Sequence, residues 1–310
     1  MRRKRWRWLL LVLLMLLIAA GIQWLRRPVY QLPQRGPVVR LWLHTEKRTV
    51  EIPLERYVVG VVLAEMPISF EMEALKAQAV GARTYTVRRL ATGEAEHPQG
   101  AVLCDNPNHC QAYLDPAVAA RNGRNGAWKV RRAAAAVWTS SGEILRYRGE
   151  PVDPVYHSTC GGRTAPASEA WGHAVSYLVS VPCRCTEVSP HSRTGVVVNL
   201  SEIAARLGIK HRIRKIRIIE RTSTGRVKWL MVGQTRVSGE RFRAAMNLPS
   251  RSITVIVSGK QARVVTRGYG HGVGMCQYGA QAMAKAGKLH REILSHYYPG
   301  TRLDRLRYNE

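Results

Sequence analysis

The chain has 310 residues, enough for a sizeable core in one large domain or two small ones, and its 48 lysines and arginines face only 21 acids, a formal net charge of +27. Such a surface asks for a polyanion. The amino terminus excludes the commonest one, a cytosolic nucleic acid, because MRRKRWRW leads into LLLVLLMLLIAAGI, and Trp8 to Leu25 form a span of 18 nearly uncharged residues, just long enough to cross a bilayer. Four of the first five residues are basic, so the amino terminus is expected inside and the body outside. No clean small-residue cleavage site follows, which favours an uncleaved anchor over a signal peptide. The expected division is a cytoplasmic tail and transmembrane anchor over residues 1–27 and an extracytoplasmic body over residues 28–310. The polyanion is then wall teichoic acid, anionic lipid or peptidoglycan.

After a spacer marked by Pro28, Pro33 and Pro37, VVRLWLH reads as a strand, and RTVEIPLERY as a second one entering a helix. In LERYVVGVVLAEMP, Tyr57, Val58, Val61, Val62 and Ala64 favour one side of that helix, and Pro67 makes Met66 a poor helical residue. Glu65 therefore falls in the last turn, where the negative end of the helix dipole and apolar neighbours both disfavour its charge. A carboxyl kept protonated near neutral pH suits general-acid chemistry; a solvated, frayed helix end is the bland alternative. A longer helix follows, with Ser69 as its expected cap and Glu71 and Glu73 in its first turn. Met72, Leu75, Ala79, Ala82 and Val87 form its apolar stripe. Arg83 projects from that stripe, either as a structural ion pair or as a guanidinium beside Glu65 or a bound anionic or carbonyl group.

Between Ala91 and Asp115 the composition turns to loop residues in AEHPQGAVLCDNPNHCQAY. Cys104 and Cys110, with His97 upstream and His109 between them, suit zinc, although exported cysteines also form disulfides. His97 is the better third ligand, because His109 directly beside Cys110 is awkwardly placed. Three ligands would leave one open position, and a structural or orienting role suits the metal better than activation of a nucleophile. An alanine-rich helix running into a strand is expected over RRAAAAVWTSSGEILRYRG. The VDPVYHSTCGGRTAP stretch reads as a loop shaped to approach a ligand, or as a turn around a Cys160 disulfide with Cys183 or Cys185. Asp153 and Glu169 flank it as possible second carboxylates.

Residues 190–265 alternate strand patterns (GVVVNL, KIRIIERT, KWLMVG, SITVIVS) with turns, and short helices fit Ser201–Leu207 and Glu240–Asn247. In RGYGHGVGMCQYGAQAMAKAG, clustered glycines permit close backbone approach to a ligand and lead into a helix near Gln277. There His271 and Gln277 could bond sugar hydroxyls, and Tyr269 or Tyr278 could stack on a ring. A helix over LHREILSHYY closes the pattern. The expected fold is α+β: mixed sheets, a helical catalytic core and a strand-rich support lobe over 190–265, preceded by the transmembrane helix.

LERYVVGVVLAEMP followed by EALKAQAVGARTY resembles the stage II sporulation protein D family, which is related to the modifiers of cell-wall amidases. HSTCGG and GHGVGMCQYGA are similar to two further signatures of the family, although Cys276 and Tyr278 stand where many members have Ser and Trp. The resemblance implies a lytic transglycosylase that cleaves MurNAc–GlcNAc bonds of peptide-stripped glycan strands during engulfment of the forespore. It implies Glu65 as the catalytic glutamate and Arg83 as a residue needed near it. It further implies His157, Ser158, His271 and Gln277 as cleft residues, and a Cys–Cys–His zinc site that only some members carry. The implied location is the mother-cell membrane facing the septal wall, with an amidase/endopeptidase and a multipass membrane protein as partners. One glutamate suffices for this chemistry, whereas an ordinary glycosidase needs two carboxylates. The alternative is a wall-binding protein that stimulates an amidase without cutting. A zinc peptidase is disfavoured, because no H-E-x-x-H arrangement is present.

Overall fold

A computed structural model describes residues 32–93 and 96–308; the expected anchor over residues 1–27 lies outside them. Among the described residues no helix is long and apolar enough to cross a membrane. The body is α+β, with short mixed sheets around a helical core, as the alternation of periods implies.

The hairpin of β1 (Val38–Leu43) and β2 (Arg48–Pro53) turns Val39 and Leu41 inward, opposite Ile52 and Val50. Strand β3 (Leu103–Cys104) adds in parallel beside β1. Strand β2 passes directly into α1 (Leu54–Glu65), which is buried on nearly every side: Tyr57, Val58, Val59, Val61 and Val62 are all fully covered. A helix so enclosed reads apolar all round rather than amphipathic. It ends where Met66 turns extended ahead of Pro67.

Helix α2 (Met72–Thr92) packs along α1 and is closed by Gly93 in the left-handed region. It begins later than a Ser69 cap requires. Pro67–Phe70 form a turn, and the Glu71 carbonyl accepts the first helical bonds, while its N–H donates to Gln281 Oε1 at 2.7 Å. Helices α3 (Pro116–Arg121) and α4 (Gly126–Thr139) complete the helical layer. Strand β4 (Glu143–Tyr147) then pairs with β5 (Glu150–Pro151), and β6 (Tyr156–His157) and the short α5 (Ala167–Trp171) follow.

The strand-rich lobe holds β7 (Thr194–Asn199), α6 (Leu200–Leu207), β8 (Ile216–Arg221), β9 (Val227–Val232), β10 (Thr235–Ser238), α7 (Gly239–Ala245), β11 (Ile253–Ser258) and β12 (Gln261–Thr266). They make two three-stranded antiparallel sheets, β10-β9-β8 and β11-β12-β7, over a second core of Ile203, Leu230, Phe242 and Val264. The chain returns to the first core with β13 (Met275–Cys276), which pairs in parallel with β6, and then α8 (Gln277–Lys285), α9 (His290–Tyr297) and β14 (Arg302–Arg305). Strand β14 closes on β4, so the carboxyl-terminal stretch packs on the amino-terminal helical layer.

Candidate functional site

The end of α1, the loop before α3, strand β6 and the glycine-rich turn converge on a cleft of about 630 Å³. Glu65 lines it, with Tyr85, Gln111, Asp153, Tyr156, Trp171 and His271 among its walls. A larger depression of about 830 Å³ in the strand-rich lobe is lined by Lys210, His211, Arg212, Arg214 and Lys260 and holds no carboxylate. The Glu65 cleft, by contrast, brings two partly buried carboxyls, Glu65 and Asp153, to one wall.

Glu65 is the last residue of α1, so the helix aims its side chain while the extended Met66 carries the backbone away. Its Oε1 accepts the Ala112 N–H at 2.7 Å. Burial raises the carboxyl pKa, outweighing that bond and one from the Tyr156 hydroxyl, both of which favour the ionised form. The Tyr156 hydroxyl also lies 3.2 Å from Gln111 Oε1. Asp153 stands in the same cleft, with Oδ1 buried and unpartnered. Burial raises its pKa too, opposed by the charges of Arg88 and Arg89. Glu169 is elsewhere: its carboxylate accepts from Ser223 and Thr224.

The glycine-rich turn supports the cleft rather than contacting a ligand at every residue. A side chain on Gly274 (φ +69°) would come within 2.0 Å of the Val155 carbonyl oxygen, which only glycine avoids. His271 Nδ1 accepts the Val273 N–H at 3.1 Å, and its Nε2–H donates to the Tyr156 carbonyl at 3.0 Å. Both nitrogens are thus used within the protein, and burial lowers its pKa to about 4. Trp171, with 43% of its surface exposed, lies 5.6 Å ring to ring from His271 and offers an open aromatic face.

The other residues singled out in the sequence are placed differently. Gln277 is buried; its Nε2 donates to the Glu65 carbonyl oxygen at 2.9 Å and lies 3.3 Å from Gln78 Oε1, so it holds the end of α1. His157 is buried behind His271, its Nδ1–H donating to the Val273 carbonyl. The Ser158 hydroxyl pairs with Thr159, and the Ser158 carbonyl accepts the Tyr278 N–H. Tyr269 is half exposed against His191, and Tyr278 packs edge-on to Phe70; neither lines the Glu65 cleft.

Arg83 does not sit beside Glu65. Its Nε and Nη2 grip Glu55 at 2.9 and 2.7 Å, with both side chains fully buried, at the opposite end of α1. Ten residues of helix separate the two glutamates, about 15 Å. The arrangement expected at the cleft is replaced by an ion pair between α1 and α2, because Glu55 on the first turn of α1 faces Arg83 across the antiparallel helices. Glu55 also accepts from Ser141, Gly142 N–H and Tyr308.

The loop cluster differs from the expected three-ligand set. His97, Cys104, His109 and Cys110 place four donor atoms within 4.8 Å of one another. Cys110 Sγ is 3.5 Å from His97 Nε2 and 3.3 Å from His109 Nδ1. The choice between the two histidines dissolves because the 106–110 turn, closed by Cys110 N–H on the Asn106 carbonyl, folds neighbouring side chains toward one point. Two thiols and two imidazoles at this spacing fit a closed tetrahedral zinc site rather than one with an open position. His109 and Cys110 also border the cleft, three and two residues before the Ala112 N–H that holds Glu65. Both expected partners of Cys160 lie near it: its Sγ is 3.5 Å from Cys185 Sγ, in a group that includes Cys183 and, in addition, Cys276.

Sequence reasoning missed Tyr156, Gln111, Ala112 and Trp171. Their signal was adjacency alone: Tyr156 precedes the HSTCGG run, Gln111 and Ala112 follow the second cysteine of the loop, and Trp171 closes the segment after it.

Comparison with known proteins places the chain among relatives. A profile described as Stage II sporulation protein matches residues 44–147, which hold Glu65 and the loop cluster. Stage II sporulation protein D of Bacillus subtilis (strain 168) is 36% identical over 276 residues, 87% of this chain and 79% of that protein. The protein of the same name in Bacillus amyloliquefaciens is 34% identical over 86% of this chain and 78% of its own length. The amidase enhancer of Bacillus subtilis (strain 168) is 25% identical over 79% of this chain and 40% of that protein. Similarity of this extent, running through both cores, means that the chain belongs to the stage II sporulation protein D family.

Proposed function

We propose that this chain is a lytic transglycosylase, anchored in the membrane by residues 1–27, that cleaves MurNAc–GlcNAc bonds of peptide-stripped peptidoglycan strands during engulfment. The observation that carries the reading is Glu65: a carboxyl with a raised pKa at the wall of an open cleft. The Ala112 N–H fixes Oε1 as an acceptor, so the transferable proton belongs on Oε2. Glu65 gives that proton to the glycosidic oxygen as the C1–O bond breaks. The resulting carboxylate then takes the proton of the muramic acid's 6-hydroxyl, whose oxygen closes on C1. The proton returns to Glu65, the product carries a 1,6-anhydro end, and no water is consumed. Trp171 offers a face for a sugar ring.

His97, Cys104, His109 and Cys110 would hold zinc, which when bound supplies a fixed loop rather than a reacting group. Gln111 and Ala112 then present their polar groups to Glu65 from a rigid base. The partners in this reading are glycan strands, an amidase/endopeptidase and a multipass membrane protein, on the mother-cell side of the septal wall.

A second reading is a wall-binding stimulator of an amidase, supported by the similarity to the amidase enhancer. Mass spectrometry of peptide-stripped glycan strands treated with the full chain, or with Glu65→Gln, separates the two. Anhydro-ended fragments from the native chain alone support the transglycosylase. Stripped strands left whole by both forms, with an amidase on peptide-bearing peptidoglycan accelerated by both, support the stimulator.

A further inference from the structure

Four cysteines far apart in sequence meet where the two cores join: Cys160 after β6, Cys183 and Cys185 in the segment after α5, and Cys276 at the end of β13. Their sulfurs all lie within 4.8 Å of one another, with Cys160 and Cys185 3.5 Å apart. A zinc ion bound by four thiolates at about 2.3 Å requires sulfurs about 3.8 Å apart. We propose that Cys160, Cys183, Cys185 and Cys276 form a second zinc site, separate from the loop site, that ties the 158–162 turn and the 183–185 segment to the start of α8.

Polar groups approach the sulfurs from several sides, with the Ser158 carbonyl 3.4 Å from Cys276 Sγ. The Cys160 N–H donates to Cys276 Sγ at 3.3 Å, and the Tyr297 hydroxyl lies 3.1 Å from Cys183 Sγ. Cys276 occupies the cap position of α8, a helix of nine residues, where the positive end of the dipole favours a thiolate. The first turn of α8 is shaped to admit the cluster, since a side chain on Gly279 would come within 2.4 Å of Cys183 Sγ. After Cys160, Gly161 (φ +83°) and Gly162 (φ +116°) turn the backbone back, and the Gly162 carbonyl accepts the Cys183 N–H at 2.9 Å.

Charge gives an independent argument. Arg226 is buried beside the cluster, where its Nη2 donates to the Cys160 and Arg163 carbonyls at 3.2 and 3.0 Å. Among the described residues no carboxylate bonds it directly; it reaches Glu169 through the Thr224 hydroxyl, which accepts from Nη1 and donates to Glu169. A zinc ion with four thiolates carries two negative charges and matches this guanidinium. Two disulfides are neutral and leave the buried cation with one relayed partner. Four deprotonated sulfurs of a closed tetrahedron also leave no position for a substrate, so the role is structural. Because Gln277 follows Cys276 directly and holds the Glu65 carbonyl, the site braces the cleft from behind.

The test uses the full-length chain isolated without reductant or chelator. The expected result is two zinc ions per chain by native mass spectrometry and elemental analysis, with all six cysteines alkylated after denaturation without reductant. A Cys104→Ser/Cys110→Ser variant keeps one zinc, and Cys183→Ser/Cys276→Ser loses one while keeping the loop metal. Disulfides among these four cysteines in the native chain overturn the assignment. So does a single zinc that vanishes with the loop variant, or iron in place of the second zinc. The metal and thiol counts on the native chain decide the matter even where a variant fails to fold, and neither depends on enzymatic activity.

Discussion

Gln277 Nε2 donates to the Glu65 carbonyl oxygen at 2.9 Å, joining the first turn of α8 to the last turn of α1 across 212 residues of sequence. The bond satisfies a helix-end carbonyl that α1 leaves open and fixes the direction in which Glu65 leaves the helix. Gln277 is thus a positioning residue. Gln277→Ala is expected to lower kcat on peptide-stripped strands about tenfold or more with little change in KM, because small displacements of a reacting group are costly. Restoration of kcat by Gln277→Asn with an unchanged fold would be unexpected, since the shorter amide cannot reach.

In the proposed reaction the raised pKa of Glu65 sets the acid form. Burial holds the carboxyl protonated above the usual carboxylate range, so activity should persist into that higher window and fall as pH rises through the shifted value. Moving Tyr156→Phe removes a hydrogen bond that favours the ionised form, and the falling limb should shift to still higher pH. A limb at the ordinary carboxylate value in both proteins would show that Glu65 is solvated. Glu65→Gln should cost on the order of 10²–10⁴ in rate.

Asp153 distinguishes two kinds of glycan chemistry. In a transglycosylase the second carboxyl has no proton to move, and Asp153→Asn should leave anhydro-ended products and most of the rate. In a hydrolase that activates water, the same change would abolish turnover and the native products would carry reducing ends. Chromatography of the products, read with the mutant rates, decides between them.

Arg83 is expected to matter for stability rather than for the chemical step. Arg83→Ala leaves Glu55 buried without its cation, a loss of about 3–5 kcal/mol. Replacing both members, Glu55→Gln with Arg83→Met, should recover much of that loss in a denaturant titration. An Arg83 variant that kept full stability but lost turnover would instead place the guanidinium in the reaction.

The His290 bridge gives a pH signature of folding. Its Nδ1 and Nε2 meet Glu73 and Glu143 at 2.9 and 2.8 Å. Burial opposes its charge, yet the two carboxylates raise its pKa, so their stabilisation is complete below the unfolded histidine value and is lost as pH rises through the folded one. Glu73 is pushed up by burial but pulled down further, to about 2, by Lys76 and His290; its share holds above the unfolded carboxylate value and is lost as pH falls toward about 2. His290→Gln should flatten the alkaline side of the stability profile and cost about 2 kcal/mol near pH 6.

The sequence shows some of this plainly. Period and proline placement locate α1 and put Glu65 in its last turn, and the strand patterns of the 190–265 region match β7, β8, β9 and β11. Local signals of that kind survive folding because they depend on neighbours a few residues away. The partner of Arg83 was not legible: Glu55 looks like an ordinary first-turn acid, and only the packing of α1 on α2 buries it. The same holds for His109, whose awkward adjacency to Cys110 is overcome by a turn that no periodicity announces. Ser69 shows the converse, a good cap residue displaced because Pro67 begins a turn before the helix can start.

Tyr308 closes on Glu55 over 253 positions of chain, beside the ion pair with Arg83. Contacts between such distant positions form late, since the entropy of closing so long a loop must be met before anything is gained. The helical layer should therefore assemble first around a carboxylate still open to water. The tail thus completes the cover over a charge that Arg83, Ser141 and Gly142 already hold from the other sides.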